Sequence, residues 1–254
     1  MSKIIFITGA TSGFGKACAE KFAANGYDLI LNGRREGRLQ ELKNELEKKY
    51  NIAVLLLPFD VRNEKDVFDA VKSIPEEWQQ IDILINNAGL ALGRDYFDEA
   101  DLDDWNVMID TNVKGLLYVS KAVVSFMANR KKGHIINLGS VAGKQVYEKG
   151  NAYCASKFAV DAISQSMRID LLRHNIKVTS INPGAAETEF SIVRFKGDEE
   201  TAKKIYDGLV PLSAGDVAEV IYYCATLPPH VCINDLSLTC LQQADAIYFN
   251  RAKS

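Results

Sequence analysis

Short apolar runs alternate with longer amphipathic stretches along the whole chain. Runs rich in β-branched and other apolar residues predict strands at 4–8, 28–33, 53–59, 81–89, 133–140 and 176–184, and a last one within 233–240. Helical spacing of apolar residues predicts helices near 14–25, 36–49, 64–74, 102–130, 152–174 and 216–227. Because the strands are apolar on both faces, the alternation predicts an α/β protein with a parallel sheet and helices on both sides.

The pattern also predicts the domain organisation. No Pro/Gly/Ser-rich linker, low-complexity tract or strong repeat interrupts it, so we expect a single domain over residues 1–254. The only long stretch without a clear period is 184–215, and a connection of that length in one domain is usually functional. We therefore expect a substrate lid there.

Composition narrows the classes of partner and compartment. The chain has 30 basic and 33 acidic residues, a net charge of −3, which favours neither nucleic acid nor an anionic membrane as a partner. The five cysteines are an odd number without CxxC spacing, so neither a zinc site nor a disulfide framework is indicated. The apolar run near the N-terminus is too short for a secretory signal or a membrane span. The sequence thus predicts a cytoplasmic protein without a bound metal.

A glycine-rich turn follows the first strand in "TGATSGFG", at residues 8–15. Gly9 permits a tight turn, and Gly13 and Gly15 allow a pyrophosphate and the next helix to approach the backbone closely. The N-terminus of that helix then offers free N–H groups to phosphates. The context of strand, turn and helix predicts a dinucleotide site, with Thr11, Ser12 and Phe14 in the same turn.

The end of the second strand indicates which dinucleotide is bound. An NAD site would place a carboxylate there for the ribose 2′-hydroxyl, but this chain has Arg34 and Arg35 with no acid before Glu36. Arginine makes charge-assisted contacts with a 2′-phosphate, so the pattern favours NADP(H), with Arg34 as first and Arg35 as second ligand. The alternative is a solvated basic turn before a helix.

A tyrosine and a lysine stand four positions apart in "NAYCASKFAV", at residues 151–160. Tyr153 and Lys157 would share one face of a helix, where the ammonium can favour the ionised phenol, whose ordinary pKa of about 10 is too high for a base at neutral pH. The alternative is a buried aromatic with a lysine lying alongside it. The spacing alone does not decide between the two.

The order and spacing of these motifs resemble the short-chain dehydrogenase/reductase family. The resemblance rests on "TGATSGFG", "NNAG" at 86–89, Asn112, Ser140, Tyr153 with Lys157, and "PGAAET" at 183–188, and it covers essentially the whole chain. It implies a doubly wound, Rossmann-like sheet of about seven strands and assembly, here expected as a homotetramer, through two long central helices.

The same resemblance implies roles for individual residues. Tyr153 would be the general acid or base, Lys157 would lower its pKa and bind the ribose, Ser140 would hold the reacting oxygen, and Asn112 would anchor a water near Lys157. The implied cofactor contacts, beyond the glycine turn and the arginines, are Asp60, Val61, Asn87, Ala88, Gly89, Pro183, Gly184 and Thr188, together with Tyr153 and Lys157.

The segments 188–198 and 226–236 resemble a narrower branch. It comprises NADP-dependent dehydrogenases of short 3-hydroxy acids, including L-serine, L-allo-threonine, 3-hydroxypropionate and 3-hydroxyisobutyrate. Such a substrate needs a cation for its carboxylate, and Arg194 in the lid is our candidate. Equally, Arg194 and Lys196 could pair with Glu199 and Glu200 on the surface.

The other wall of the substrate site is expected in the segment after Ser140. Gln145 is our candidate there, with Val141 and Tyr147 beside it.

Two further functions stay open: a 3-oxoacyl-thioester or general carbonyl reductase, and a non-catalytic NADP(H)-sensing protein. The complete set of four catalytic candidates disfavours the sensor, and the net acidic charge disfavours a carrier-protein substrate.

Overall fold

Seven parallel strands form one sheet in the order β3-β2-β1-β4-β5-β6-β7 in the computed structural model, which describes residues 2–252. This order confirms the predicted doubly wound α/β class, because β2 and β3 are added on one side of β1 and β4 to β7 are added on its other side. The strands are β1 Ile4–Ile7, β2 Asp28–Gly33, β3 Val54–Pro58, β4 Ile81–Asn86, β5 Gly133–Leu138, β6 Ile176–Pro183 and β7 Asp235–Leu238.

Helices connect the strands and cover both faces of the sheet. They are α1 Gly13–Ala23, α2 Glu36–Tyr50, α3 Glu64–Lys72, α4 Leu102–Ile109, α5 Leu116–Arg130, α6 Asn151–Leu171, α7 Glu189–Arg194, α8 Glu199–Lys204 and α9 Ala214–Thr226. Several begin at a side-chain cap, since Asn63, Asp101 and Ser213 each accept a hydrogen bond from a free backbone N–H of the first turn. Ser213 and Asp216 form a full capping box.

The core lies in two layers, one on each face of the sheet. Successive residues of β1 alternate between them: Ile5 and Ile7 pack with α1 and α9, whereas Ile4 and Phe6 pack with α3 and α5. This alternation explains why the strands are apolar throughout, because both faces are covered.

Two predicted elements differ in the structure. The single helix expected over 102–130 is interrupted by a π-helical turn, Asp110–Gly115, which contains Asn112. The stretch 184–215, expected to be irregular, contains the short helices α7 and α8, which were missed because six residues are too few to establish a helical period. Both differences lie beside the cleft described below.

The cysteines, potential metal ligands and helix lengths are described here for residues 2–252. All five cysteines are free thiols, and no cluster of three or more potential metal-ligating side chains occurs in this part of the chain. No helix within it is long and apolar enough to cross a membrane.

Candidate active site

The glycine-rich turn lies at the carboxyl end of β1, where it forms the floor of a cleft. Gly9 and Gly13 have φ angles of 64° and 52°, which favour glycine. A β-carbon on Gly15 would collide with the carbonyl oxygen of Gly9, whereas one on Gly13 would project into the cleft, 3.6 Å from the side chain of Thr188. The turn is thus packed tightly against its own backbone at Gly15 and open toward the cleft at Gly13, as close approach of a pyrophosphate requires.

Two arginines lie at the edge of the cleft, just after the end of β2. The Arg34 guanidinium is largely exposed and lies 3.8 Å from the Asp60 carboxylate. Arg35 donates hydrogen bonds to the hydroxyls of Thr11 and Ser12, at 2.8 and 3.1 Å. The cation therefore sits directly against the glycine-rich turn and can hold a phosphate there.

Backbone and amide groups fix the end of β4 against the same turn. Asn87 donates from Nδ2 to the carbonyl oxygens of Thr8 and Gly9, and the Thr8 hydroxyl accepts from the backbone N–H groups of Asn87 and Ala88. These bonds hold Asn87 in a structural role and leave Ala88 and Gly89 facing the cleft.

Helix α6 places Tyr153 and Lys157 in the cleft, and both side chains are buried. The Lys157 ammonium lies 6.0 Å from the centre of the Tyr153 ring and donates to the carbonyl oxygen of Leu138 at 2.8 Å. Burial lowers the pKa of Lys157 to about 8. The two groups share one face, as predicted, and Lys157 is already desolvated.

Burial controls the pKa of the Tyr153 phenol. Desolvation, with a smaller contribution from the phenol of Tyr147, raises the pKa of Tyr153 above its ordinary value, while Ser140 and the Arg194 guanidinium oppose the rise. Desolvation therefore outweighs the positive charge of Arg194. The lowering of this pKa by Lys157 stays a prediction.

Ser140 and Asn112 complete the predicted set of four. The Ser140 hydroxyl caps the short 3₁₀ turn Val141–Gly143 by accepting from the Ala142 N–H at 3.1 Å. Asn112 Oδ1 accepts from the Leu90 N–H, and Asn112 Nδ2 donates to the Leu90 carbonyl oxygen and to the Ser156 hydroxyl. A β-carbon on Gly89 would lie 3.2 Å from Asn112 and 3.7 Å from the Lys157 ammonium, so these groups meet at one point.

Arg194 reaches this site from the C-terminal end of α7. Its side chain is buried, donates to the carbonyl oxygen of Gly93, and lies 5.6 Å from the ring centres of both Tyr147 and Tyr153. The alternative of surface pairing with Glu199 and Glu200 is wrong. Lys196 instead binds the Asp104 carboxylate at 2.9 Å, because the chain turns away after α7.

The remaining predicted residues lie on the far wall, near the C-terminal segment. Gln145 accepts a hydrogen bond from the Ala246 N–H at 3.3 Å. Pro183 ends β6 and accepts, through its carbonyl oxygen, from Ser140 at 3.5 Å. Gly184 packs against Gln243, whose Oε1 accepts from the N–H of Ala185. Gln243 therefore fixes the loop after β6.

One cleft contains most of the predicted cofactor residues. Its lining includes Gly9, Thr11, Ser12, Gly13, Phe14, Arg34, Arg35, Asp60, Val61, Asn87, Ala88, Gly89, Tyr153, Lys157 and Thr188. An extended molecule with phosphates at the turn and an apolar ring beside Tyr153 fits this arrangement. The donor set suits a dinucleotide, since it combines glycine N–H groups, cations and a buried end.

A family model described as short chain dehydrogenase matches residues 3–199. The chain belongs to that family. Its membership agrees with the resemblance drawn from the motifs and makes the protein an oxidoreductase by descent.

Individual members of the family are also similar over nearly the full chain. The NADP-dependent 3-hydroxy acid dehydrogenase YdfG of Salmonella typhi is 46% identical over 244 residues, covering 96% of this chain and 97% of that protein. Sulfoacetaldehyde reductase 2 of Chromohalobacter salexigens is 46% identical over 245 residues, covering 96% of each. The closed form of a serine dehydrogenase complexed with NADP⁺ superposes with a TM-score of 0.92 at 45% identity, covering 98% of this chain and all of that one.

Several residues of this family site were missed from the sequence. Phe190 packs 5.8 Å from the Tyr153 ring, and Glu189 lines the cleft beside Arg35. Arg38 also joins the arginine cluster by pairing with Glu189. Arg38 could have been found, since it lies three positions after Arg35 at the start of one helix. Nothing in the local sequence placed α7 over the cleft.

Proposed function

We propose that this chain is an NADP-dependent dehydrogenase of short 3-hydroxy acids. Its substrates would be acids such as L-serine, L-allo-threonine, 3-hydroxypropionate and 3-hydroxyisobutyrate, or their 3-oxo forms. The observation that carries the proposal is the buried guanidinium of Arg194, which lies over Tyr153 and forms no ion pair among residues 2–252. A cation held there gives a small carboxylate a fixed distance from the proton-transferring group.

The cofactor would lie along the cleft with its phosphates at the glycine-rich turn. Arg34 and Arg35 would hold the 2′-phosphate, Asp60 and Val61 would contact the adenine, and Pro183, Gly184 and Thr188 would enclose the nicotinamide side. Bound NADP⁺ supplies the nicotinamide that takes up the hydride and adds positive charge beside the phenol. The similarity to proteins named for NADP supports this choice of dinucleotide.

The four predicted catalytic residues would divide the proton chemistry among them. When the alcohol is oxidised, Tyr153 accepts the hydroxyl proton as the hydride leaves carbon, and in reduction it returns that proton. Ser140 holds the reacting oxygen next to the phenol. Lys157 binds the ribose and stabilises the phenolate, and Asn112 holds a water that delivers protons to Lys157.

The first test follows NADP⁺ reduction by absorbance with L-serine, L-allo-threonine, 3-hydroxypropionate and a 3-hydroxyacyl thioester in parallel. We expect turnover of the free acids, and we expect Tyr153→Phe to lower kcat by about 10²–10⁴-fold while NADPH still binds. Turnover of the thioester alone would support the carbonyl reductase alternative. NADPH binding without turnover of any substrate would support the sensor.

The role of Arg194 is tested separately. Arg194→Ala should raise KM for the hydroxy acids at least tenfold and leave the oxidation of a neutral alcohol almost unchanged. The reason is that only the acids have a carboxylate that the Arg194 guanidinium can bind. Lys196→Ala, which removes a nearby cation engaged with Asp104, is the matched control. An unaltered KM in Arg194→Ala would remove this residue from substrate binding and leave Gln145 as the candidate.

A sulfonate is the second candidate anion. The chain is as similar to a protein named sulfoacetaldehyde reductase as to the 3-hydroxy acid dehydrogenase, and a guanidinium can hold either group. Reduction of sulfoacetaldehyde and of 3-oxopropionate by NADPH should therefore be compared directly. The larger kcat/KM identifies the anion for which the pocket is built.

We also propose a cytoplasmic homotetramer assembled through α5 and α6. Leu117, Phe158 and Ile169 leave apolar surface exposed on these two helices, at 43%, 41% and 75% exposure. Light scattering behind a sizing column would give the mass. A monomer at micromolar concentration would contradict the proposal.

A further inference from the structure

Helix α7 begins beside the arginines at the end of β2. Its first residue, Glu189, accepts hydrogen bonds from Arg38 at 3.0 Å on both carboxylate oxygens and from Arg35 at 3.3 Å. The carboxylate and both guanidinium groups are each 44–47% exposed. One anion therefore bridges two cations at the mouth of the cleft.

Arg35 also binds the glycine-rich turn. Arg35 donates to the hydroxyls of Thr11 and Ser12 while it binds Glu189. Partial burial opposes ionisation of Glu189, but hydrogen bonds from Arg38 and Arg35 lower its pKa below the ordinary value. The protein's own carboxylate is thus charged at neutral pH, and it binds Arg35, which is assigned above to a 2′-phosphate, together with the neighbouring Arg38.

We propose that Glu189 is a specificity-determining residue that competes with the adenosine 2′-phosphate for Arg35 and Arg38. This inference rests on the proposed use of NADP(H). A phosphate monoester carries more charge than a carboxylate, so it displaces Glu189 from Arg35, but it does so against the repulsion of a like charge nearby. Glu189 therefore lowers the affinity for 2′-phosphorylated ligands and has little effect on ligands without that group.

Helix α7 joins these arginines to the substrate side of the cleft. The helix has six residues, and it presents Glu189 to the arginines at one end and Arg194 to Tyr153 at the other. Its first turn is also held by Thr188, whose hydroxyl accepts from the Phe190 N–H.

The test measures binding of 2′,5′-ADP and of 5′-AMP, which lacks only the 2′-phosphate, by titration calorimetry at low salt. Glu189→Gln, which removes the charge and keeps the shape, should bind 2′,5′-ADP about three- to tenfold more tightly than the wild type. This gain is the size expected when the Coulomb repulsion between a carboxylate and a phosphate several ångströms apart in water is removed. Its affinity for 5′-AMP should change less than twofold. In about 0.5 M salt the gain should shrink, because the Debye length falls below the separation of the charges.

Glu187→Gln is the matched control, since Glu187 is exposed, lies two residues away and forms no ion pair among residues 2–252. It should leave both affinities unchanged. Glu189→Ala serves as a second variant, and thermal unfolding checks that each variant is folded. A wild type that binds both ligands equally would overturn the proposed NADP preference. A clear preference that is equal or weaker in Glu189→Gln and Glu189→Ala would overturn this inference alone.

Discussion

At the scale of single residues, Lys157 carries the largest electrostatic cost in the cleft. Its ammonium group is buried and has one protein acceptor, the carbonyl oxygen of Leu138. Burial lowers the pKa from 10.5 to about 8, so the charged form is disfavoured in the folded protein. A residue that functions through its charge is kept there at the expense of stability.

The sign of this effect predicts how stability depends on pH. Below pH 8 Lys157 is protonated in both folded and unfolded states, and the cost of burying the charge is fully present. Between pH 8 and 10.5 the folded protein has released the proton while the unfolded chain retains it, so wild-type stability rises with pH. Lys157→Met avoids the cost at every pH.

We expect Lys157→Met to be more stable than the wild type by about 2 kcal/mol at pH 7, after allowance for the lost hydrogen bond to Leu138. The difference should narrow between pH 8 and 10.5, as measured by urea unfolding at pH 7 and 9.5. Lys121→Met, at an exposed position of α5, is the control and should show no such trend. A constant difference across this range would contradict the buried ammonium.

At the scale of elements, the glycine-rich turn depends on one very close backbone contact. At Gly15 a β-carbon would collide with the carbonyl oxygen of Gly9 and lie 2.5 Å from Asn87 Nδ2. These two neighbours are bonded to each other, because Asn87 Nδ2 donates to the carbonyl oxygens of Thr8 and Gly9 just beyond the ends of β4 and β1. The turn therefore has no room for any side chain at this position.

Gly15→Ala should lower NADPH affinity at least tenfold and destabilise the protein by about 2 kcal/mol, because backbone has to shift. Fluorescence titration with NADPH and thermal unfolding measure the two effects. The control is Gly37→Ala in α2, where a β-carbon would meet nothing within 4 Å. That variant should gain about 0.5–1 kcal/mol from helix propensity. Equal effects at both sites would contradict the close packing described here.

At the scale of the whole molecule, stability comes from a sheet covered on both faces. Phe6 has no exposed surface and lies in the central strand β1, between β2 and β4. Its ring contributes to the layer shared with α3 and α5. Loss of this ring would leave a cavity where the neighbouring strands are fixed by hydrogen bonds and cannot close it.

We expect Phe6→Ala to lower the free energy of unfolding by about 3–5 kcal/mol, measured by urea unfolding. The control is Phe68→Ala, which also removes a phenylalanine ring, but from a position of α3 that is 39% exposed. It should lower the free energy of unfolding by about 1 kcal/mol or less. If the two variants were equally stable, the rigid two-layer core would be the wrong description.

Across these scales, local pattern predicted the sheet and most of its helices. The strand positions agree because most strands contain a run of apolar, often β-branched residues, and the glycine turn and the pair Tyr153–Lys157 agree because both depend on spacing within one element. The π-turn around Asn112 was not predicted, since helical periodicity is the same on either side of it. The roles of the site residues stay predictions.

Local sequence patterns were enough to predict the alternating order of strands and helices, the family, and the shared face of Tyr153 and Lys157. The contacts between distant side chains required the folded structure: Glu189 with Arg35 and Arg38, and Arg194 with Tyr147 and Tyr153. The burial that raises the pKa of Tyr153 likewise follows only from the folded structure. The reason is physical, because periodicity and turn chemistry are local, whereas burial and long-range contacts depend on how the whole chain packs.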